Sequence, residues 1–156
     1  MPVQVGQQAP DATLVNTERK PVRISDLRGK TTVLAFFPAA FTGTCTKEMC
    51  RFRDDHARLD GLQAQVIGIS ADTPFVLAEW AKQHNLKQTM LSDFNHEAMR
   101  AYDVYDGNFG GVLNGIARRS VFVLDKNGRV VYTWLSDRPG VEPPYEEIEA
   151  AVQQAK

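Results

Sequence analysis

The sequence predicts an α/β protein with a mixed central sheet and helices on both faces. Three observations lead there. Apolar runs rich in strand formers recur along the chain, separated by helical patterns. Two of these runs lie back to back across an Asn-Gly turn near the carboxyl end. The length, 156 residues with 43% hydrophobic and 24% charged side chains, suits one domain spanning 1–156 with its own core.

Taken in order, Gly6 to Asp26 alternate polar and apolar positions among turn formers, which predicts a short hairpin or loop. Thr31–Phe37 (TTVLAFF) is a continuous apolar run, as expected of a strand buried on both faces. Gln65–Ser70 and Ser120–Leu124 read the same way. Arg129–Leu135 follows the latter through Asp125-Lys126-Asn127-Gly128, a hairpin turn. Thr73 is placed to cap a helix that opens with Pro74, and Val76, Leu77, Trp80, Ala81 and His84 recur at helical spacing. Trp80 and Trp134 read as core. Short helices are expected over Asn95–Tyr102 and Pro144–Gln153, the latter with Ile148, Ala151 and Val152 on one face, and a short strand near Thr89–Leu91. Strands and helices alternate first and a hairpin comes last, with right-handed crossovers. That is a thioredoxin-like arrangement, whose ligand chemistry is expected beyond the carboxyl ends of the strands.

Composition narrows the function. The formal net charge is −1 and no basic run reaches five residues, so nucleic acid is not an expected partner. No apolar segment approaches the roughly 18 residues of a membrane span. The opening MPVQVGQQ has neither a basic nor an apolar region of the kind a secretory leader carries. These features point to the cytoplasm, where disulfides are usually transient and catalytic. The two cysteines, Cys45 and Cys50, therefore invite a chemical reading, with inert buried cysteine as the alternative.

Both lie in FFPAAFTGTCTKEMC, Phe36 to Cys50. Pro38 ends the strand, since it donates no ladder hydrogen bond and restrains its predecessor. Thr42 and Thr44 offer caps, and Cys45, Met49, Phe52, His56 and Leu59 mark one face of a helix from about Cys45 to Leu59. Cys45 then occupies the first turn, where unpaired N–H groups and partial positive charge favour a thiolate and can hold an oxyanion. Thr42 adds a hydroxyl that either caps the helix or meets a ligand. Five residues along a helix turn Cys50 about 140° from Cys45 and leave the Cα atoms roughly 8.7 Å apart. A disulfide needs less than about 7 Å, so the thiols either never pair or pair only after the first turn unwinds.

PAAFTGTC, Pro38 to Cys45, resembles the P-x-x-x-T/S-x-x-C signature of peroxiredoxins, and CTKEMC is similar to the C-T-x-E-x-C of the Q-type subfamily, the bacterioferritin comigratory proteins. Gly6–Asp11, Gly68–Asp72, Leu91–Asp93 and Arg119–Asp125 extend the resemblance along nearly the whole chain, while the regions Tyr102–Ala117 and Ser136–Tyr145 look closer to E-type members. The resemblance implies a thiol peroxidase that takes hydrogen peroxide or an organic hydroperoxide and needs no metal, haem or flavin. Cys45 would attack the peroxide and become a sulfenic acid. Thr42 would hydrogen-bond the peroxide and Pro38 would shield it from water. Arg119 would stabilise the thiolate and the shifting O–O charge, with Arg118 as the one-residue alternative, and the N–H groups of Thr44 and Cys45 would complete the cradle. Glu48 stands at the subfamily's acidic position, or is simply a first-turn glutamate favoured by the helix dipole. Cys50 would resolve the sulfenic acid as an intramolecular disulfide recycled by thioredoxin; in a one-cysteine enzyme it would be a bystander. A monomer or a non-covalent dimer is compatible with this.

Three other readings compete. A zinc site on Cys45, Cys50 and His56 has no common spacing, and Cys50 points away from the other two. A redox sensor or holdase could use the same thiol chemistry. A disulfide carrier of the thioredoxin kind lacks its C-x-x-C.

Overall fold

Strand formers and amphipathic runs alternate as expected in the structure, a computed structural model that describes residues 3–155. The Met1–Pro2 start of the leader reading lies outside that range. β1 (Thr13–Asn16) and β2 (Pro21–Arg23) form the N-terminal hairpin, followed by a 3₁₀ turn at Ile24–Leu27. Next come β3 (Thr31–Phe36), α1 (Gly43–Gly61), β4 (Ala64–Ser70), α2 (Pro74–Gln83), β5 (Thr89–Ser92) and α3 (Glu97–Ala101). A two-stranded ribbon, β6 (Tyr105–Asp106) and β7 (Ile116–Ala117), precedes β8 (Ser120–Leu124), β9 (Val130–Leu135) and α4 (Tyr145–Gln154).

The main sheet has seven strands in the order β2-β1-β5-β4-β3-β8-β9. β3, β4 and β5 run parallel, and every other pairing is antiparallel, so the sheet is mixed as the sequence predicts. β3 is buried at all six positions and its side chains alternate between two cores. Leu34 and Phe36 pack with Ile67, Ile69 and Phe122 beneath α3 and the N-terminal segment. Val33, Ala35 and Phe37 pack with Val121 and Val123 beneath α1, α2 and α4. Helices therefore cover both faces. No helix among the described residues is long and apolar enough to cross a membrane.

Several local expectations change. Thr73 does cap α2, accepting from the Val76 N–H at 3.4 Å, with Pro74 first in the helix. α3 is shorter than Asn95–Tyr102 because the Asp93 carboxylate accepts the N–H groups of Ala98 and Met99, and His96 just ahead takes a left-handed turn with φ 63°. Trp80 is fully buried, but Trp134 is only half-buried, since β9 is an edge strand. His56 is likewise half-buried. The β6–β7 ribbon has no counterpart in the sequence reading, because two residues per strand leave no period to detect.

The topology fixes where chemistry can occur. β3 and β4 end at Phe36 and Ser70 on the same edge, and antiparallel β8 begins there, with Ser120 opposite Phe36. Arg119 and the loop into α1 thus meet at the carboxyl ends of the parallel strands. Leu34, wholly buried at the centre of β3, reports on the integrity of this frame. Leu34→Ala should cost about 2–5 kcal/mol, seen as a lower urea midpoint with unchanged slope.

Candidate active site

α1 starts two residues earlier than expected, at Gly43, with Thr42 in the cap position. Thr42 does not act as a cap: its hydroxyl donates to the Ala39 carbonyl at 2.7 Å, which leaves its oxygen free to accept. Thr44 is not a cap either but the second residue of the helix, half-buried. Cys45 is third, only 1% exposed. At this point of a helix the N–H groups have no partner in the preceding turn. Pro38 is buried just beyond the end of β3.

Pro38, Ala39, Thr42, Gly43, Thr44, Cys45 and Arg119 share one cleft of about 310 Å³, with Phe109, Leu113, Ile116 and Pro139 as its apolar wall. Six of the seven residues that the sequence singles out are thereby close together, counting Glu48 through its partner Arg119 and leaving out Cys50. Cys50 is half-buried on α1, and both thiols are free. The helix that carries them is unbroken from Gly43 to Gly61, as the separation argument requires of unpaired thiols. Among the described residues no group of His, Cys, Asp or Glu is placed to hold a metal ion.

Arg119 organises the interior of the site. Its Nη2 donates to Cys45 Sγ at 3.3 Å and its Nη1 to Glu48 Oε1 at 2.6 Å. Nη2 and Nε also donate to the Pro139 carbonyl, at 2.9 and 3.2 Å. Arg118 is exposed and donates to the Ser136 carbonyl, so the guanidinium beside the thiol is that of Arg119. Glu48 is not in the first turn and is wholly buried, so the dipole reading gives way to a buried ion pair. The Pro139 contact has no signature in the sequence, because a backbone carbonyl can come from any residue.

Residues 5–133 match the AhpC/TSA family. The chain belongs to that family. It is 39% identical over 136 residues to "Peroxiredoxin Bcp" of Bacillus subtilis, covering 86% of each chain. It is 34% identical over 157 residues to "Thiol peroxidase" of the same organism, covering 97% of this chain and 90% of the other. A peroxiredoxin-like protein from Aquifex aeolicus superposes with a TM-score of 0.91 at 29% identity, covering 100% of this chain and 90% of that one. The peroxiredoxin resemblance and the thioredoxin-like fold therefore hold over most of the chain.

Within this family member the ion pair has a directional effect. Burial raises the Glu48 carboxyl to about 7, although the Arg119 guanidinium opposes that rise. Burial also works against the charge of Arg119, but Glu48 and Cys45 beside it outweigh burial and hold its pKa above the ordinary value. The pair thus contains a guanidinium that keeps its charge and a carboxyl that readily gives its charge up. The second carboxyl oxygen, Oε2, is buried without a hydrogen bond, as suits a carboxyl close to neutrality.

Because the folded-state value lies above the ordinary 4.5, the folded protein binds the extra proton between those two pH values. Stability from this group is complete below about 4.5 and is lost as pH rises through about 7. Urea unfolding at pH 5 and pH 8 should show this fall in wild type and a smaller one in Glu48→Gln. The same substitution removes a negative charge that competes for Arg119, so iodoacetamide should alkylate Cys45 faster in Glu48→Gln at pH 8.

Proposed function

We propose that the protein is a thiol-dependent peroxidase acting in the cytoplasm as one domain, with Cys45 as its peroxidatic thiol. The observation that carries this reading is the 3.3 Å hydrogen bond from Arg119 to Cys45 at the start of α1, inside a cleft open to a small substrate. The guanidinium donates to the sulfur, the helix N-terminus adds partial positive charge beside it, and a thiolate is the nucleophile in such chemistry.

The reaction follows from the donors and acceptors present. The Cys45 thiolate attacks the terminal oxygen of a hydroperoxide as the O–O bond breaks, giving sulfenic acid and an alkoxide or hydroxide that takes up a proton. The Thr42 oxygen, its own proton committed to Ala39, accepts the O–H of the hydroperoxide and aligns it. Arg119 and the N–H groups of Thr44 and Cys45 stabilise the negative charge that moves across the O–O bond. Pro38 closes the floor of the cleft against water. The apolar wall of Phe109, Leu113, Ile116 and Pro139 suits an organic hydroperoxide as well as hydrogen peroxide. Glu48 holds Arg119 from behind and sets how much of its charge reaches the sulfur.

Cys50 completes the cycle as the resolving thiol. Its thiolate attacks the sulfur of the Cys45 sulfenic acid and displaces hydroxide, which takes up a proton from solvent and leaves as water, giving an intramolecular disulfide. The first turns of α1 unwind for this step, because the intact helix keeps the two apart. Two electrons from thioredoxin then restore both thiols, and no cysteine remains for a covalent bridge to a second subunit, so a monomer or a non-covalent dimer suffices.

Peroxide consumption coupled to thioredoxin, thioredoxin reductase and NADPH tests the scheme. Cys45→Ser should be inactive, and Cys50→Ser should consume about one equivalent and stop. Cycling by Cys50→Ser at the wild-type rate would make Cys50 a bystander. One oxidation of wild type without turnover, under any thiol reductant, would favour a redox sensor. Arg119→Met should lower the second-order rate with peroxide by about 100-fold or more, as expected when a charge-stabilising donor is lost.

A further inference from the structure

The loop between β3 and α1 is held by a side chain from outside it. The Ala40 N–H donates to Asp72 Oδ2 at 2.8 Å. The same oxygen accepts the Ser70 hydroxyl at 2.7 Å, and the Asp72 N–H donates back to the Ser70 oxygen at 3.2 Å. Ser92 donates to the Asp72 carbonyl at 2.5 Å. Ser70 and Ser92 are buried at the ends of β4 and β5, the paired strands of the sheet. The carboxylate is therefore fixed by the scaffold on one side and grips the loop on the other.

What it grips is under strain. Phe41, the next residue, has φ 67° and is half exposed. A bulky residue in the left-handed region is unfavourable and persists only where its surroundings impose it. The loop thus gains by leaving its present shape, and the Asp72 hydrogen bond opposes that. At the far end of the segment, the buried Gln88 side chain donates to the Met49 carbonyl at 2.8 Å, one residue before Cys50. The stretch from Ala40 to Met49, which contains Thr42, Cys45 and Glu48, is tied at both ends by side chains that lie elsewhere in the sequence.

We propose that Asp72 is a positioning residue that latches this stretch in its peroxide-reactive shape, and that its release lets Cys45 travel to Cys50, with Gln88 marking where the unwinding stops. This rests on the two-cysteine reading above. Asp72 touches neither substrate nor sulfur, so it acts through the loop alone. The latch sets one equilibrium with two consequences. Holding the loop speeds attack on peroxide, and freeing it speeds disulfide formation.

The test uses the full-length protein as Asp72→Ala and Asp72→Asn, the latter keeping the shape and one acceptor oxygen without the charge. Hydrogen exchange of the reduced proteins at amides 40–49 should be about tenfold faster in Asp72→Ala and intermediate in Asp72→Asn, with α4 unchanged; a charge-assisted hydrogen bond is large enough for that. Stopped-flow kinetics should show disulfide formation accelerated by up to the same tenfold, and Cys45 oxidation slowed by a smaller factor, since one equilibrium sets both populations. A merely structural role moves both rates down and raises exchange throughout the chain, and that result overturns the proposal. Unchanged exchange at 40–49 in both variants overturns it too. If exchange rises there while wild type forms no internal disulfide, the latch stands and the two-cysteine reading falls. Should Asp72→Ala not fold, Asp72→Asn alone carries the comparison.

Discussion

A guanidinium almost wholly removed from water is the constraint on which the rest of the site depends. Arg119 is 2% exposed and cannot shed its charge, so every donor must find an acceptor inside the protein. Three supply them: a thiol sulfur, a carboxylate and a backbone carbonyl. They come from two parts of the chain. α1 provides Cys45 and Glu48 one helical turn apart, which sets the pitch at which the two groups meet the flat fork of the side chain. The loop after β9 provides Pro139. The β3–β8 register then sets the depth of the fork, since Ser120 pairs with Phe36.

Much of this is legible in the sequence, and its limits are physical. Pro38, Thr42 and Cys45 sit within eight residues, where a strand stop, a helix start and a reactive thiol follow from local rules, and the structure places all three on one cleft. Arg119 is legible from the motif at the head of the Ser120–Leu124 strand. Glu48 is named by the resemblance, but the choice between a site role and a helix-dipole role stays open in the sequence, because a glutamate near a helix start looks the same whether it faces water or a buried cation, and only the position of β8 decides between them. Asp72 and Pro139 are silent for a related reason. Their partners across the fold are a backbone amide and a side chain 20 residues away, and neither contact imposes a pattern. The ribbon β6–β7 and the edge position of Trp134 also depend on pairing between distant segments rather than on local period.

The loop into α1 shows how a stable scaffold carries a changeable part. β3, β4 and β5 are fixed by buried ladders, and the face of α1 from Met49 to Leu59 is sunk in the core with Trp80 and Ile148. Between them the burial is interrupted at Phe41, Thr42 and Gly43, which are exposed. Local opening free energies are lowest where few apolar contacts are at stake, so motion concentrates there without loosening the fold.

The hold of Pro139 on the guanidinium links the site to the carboxyl end of the protein. From Pro139 the chain runs five residues to Pro144 and straight into α4, whose Tyr145 ring lies under the Arg51 guanidinium at 4.5 Å and packs edge-on against Phe52 of α1. α4 also packs directly on β3, β8 and β9. A load applied behind Gln154, whether a fused domain, a surface tether or an optical-trap handle, is therefore divided between the central strands and, through the loop, the carbonyl that holds Arg119.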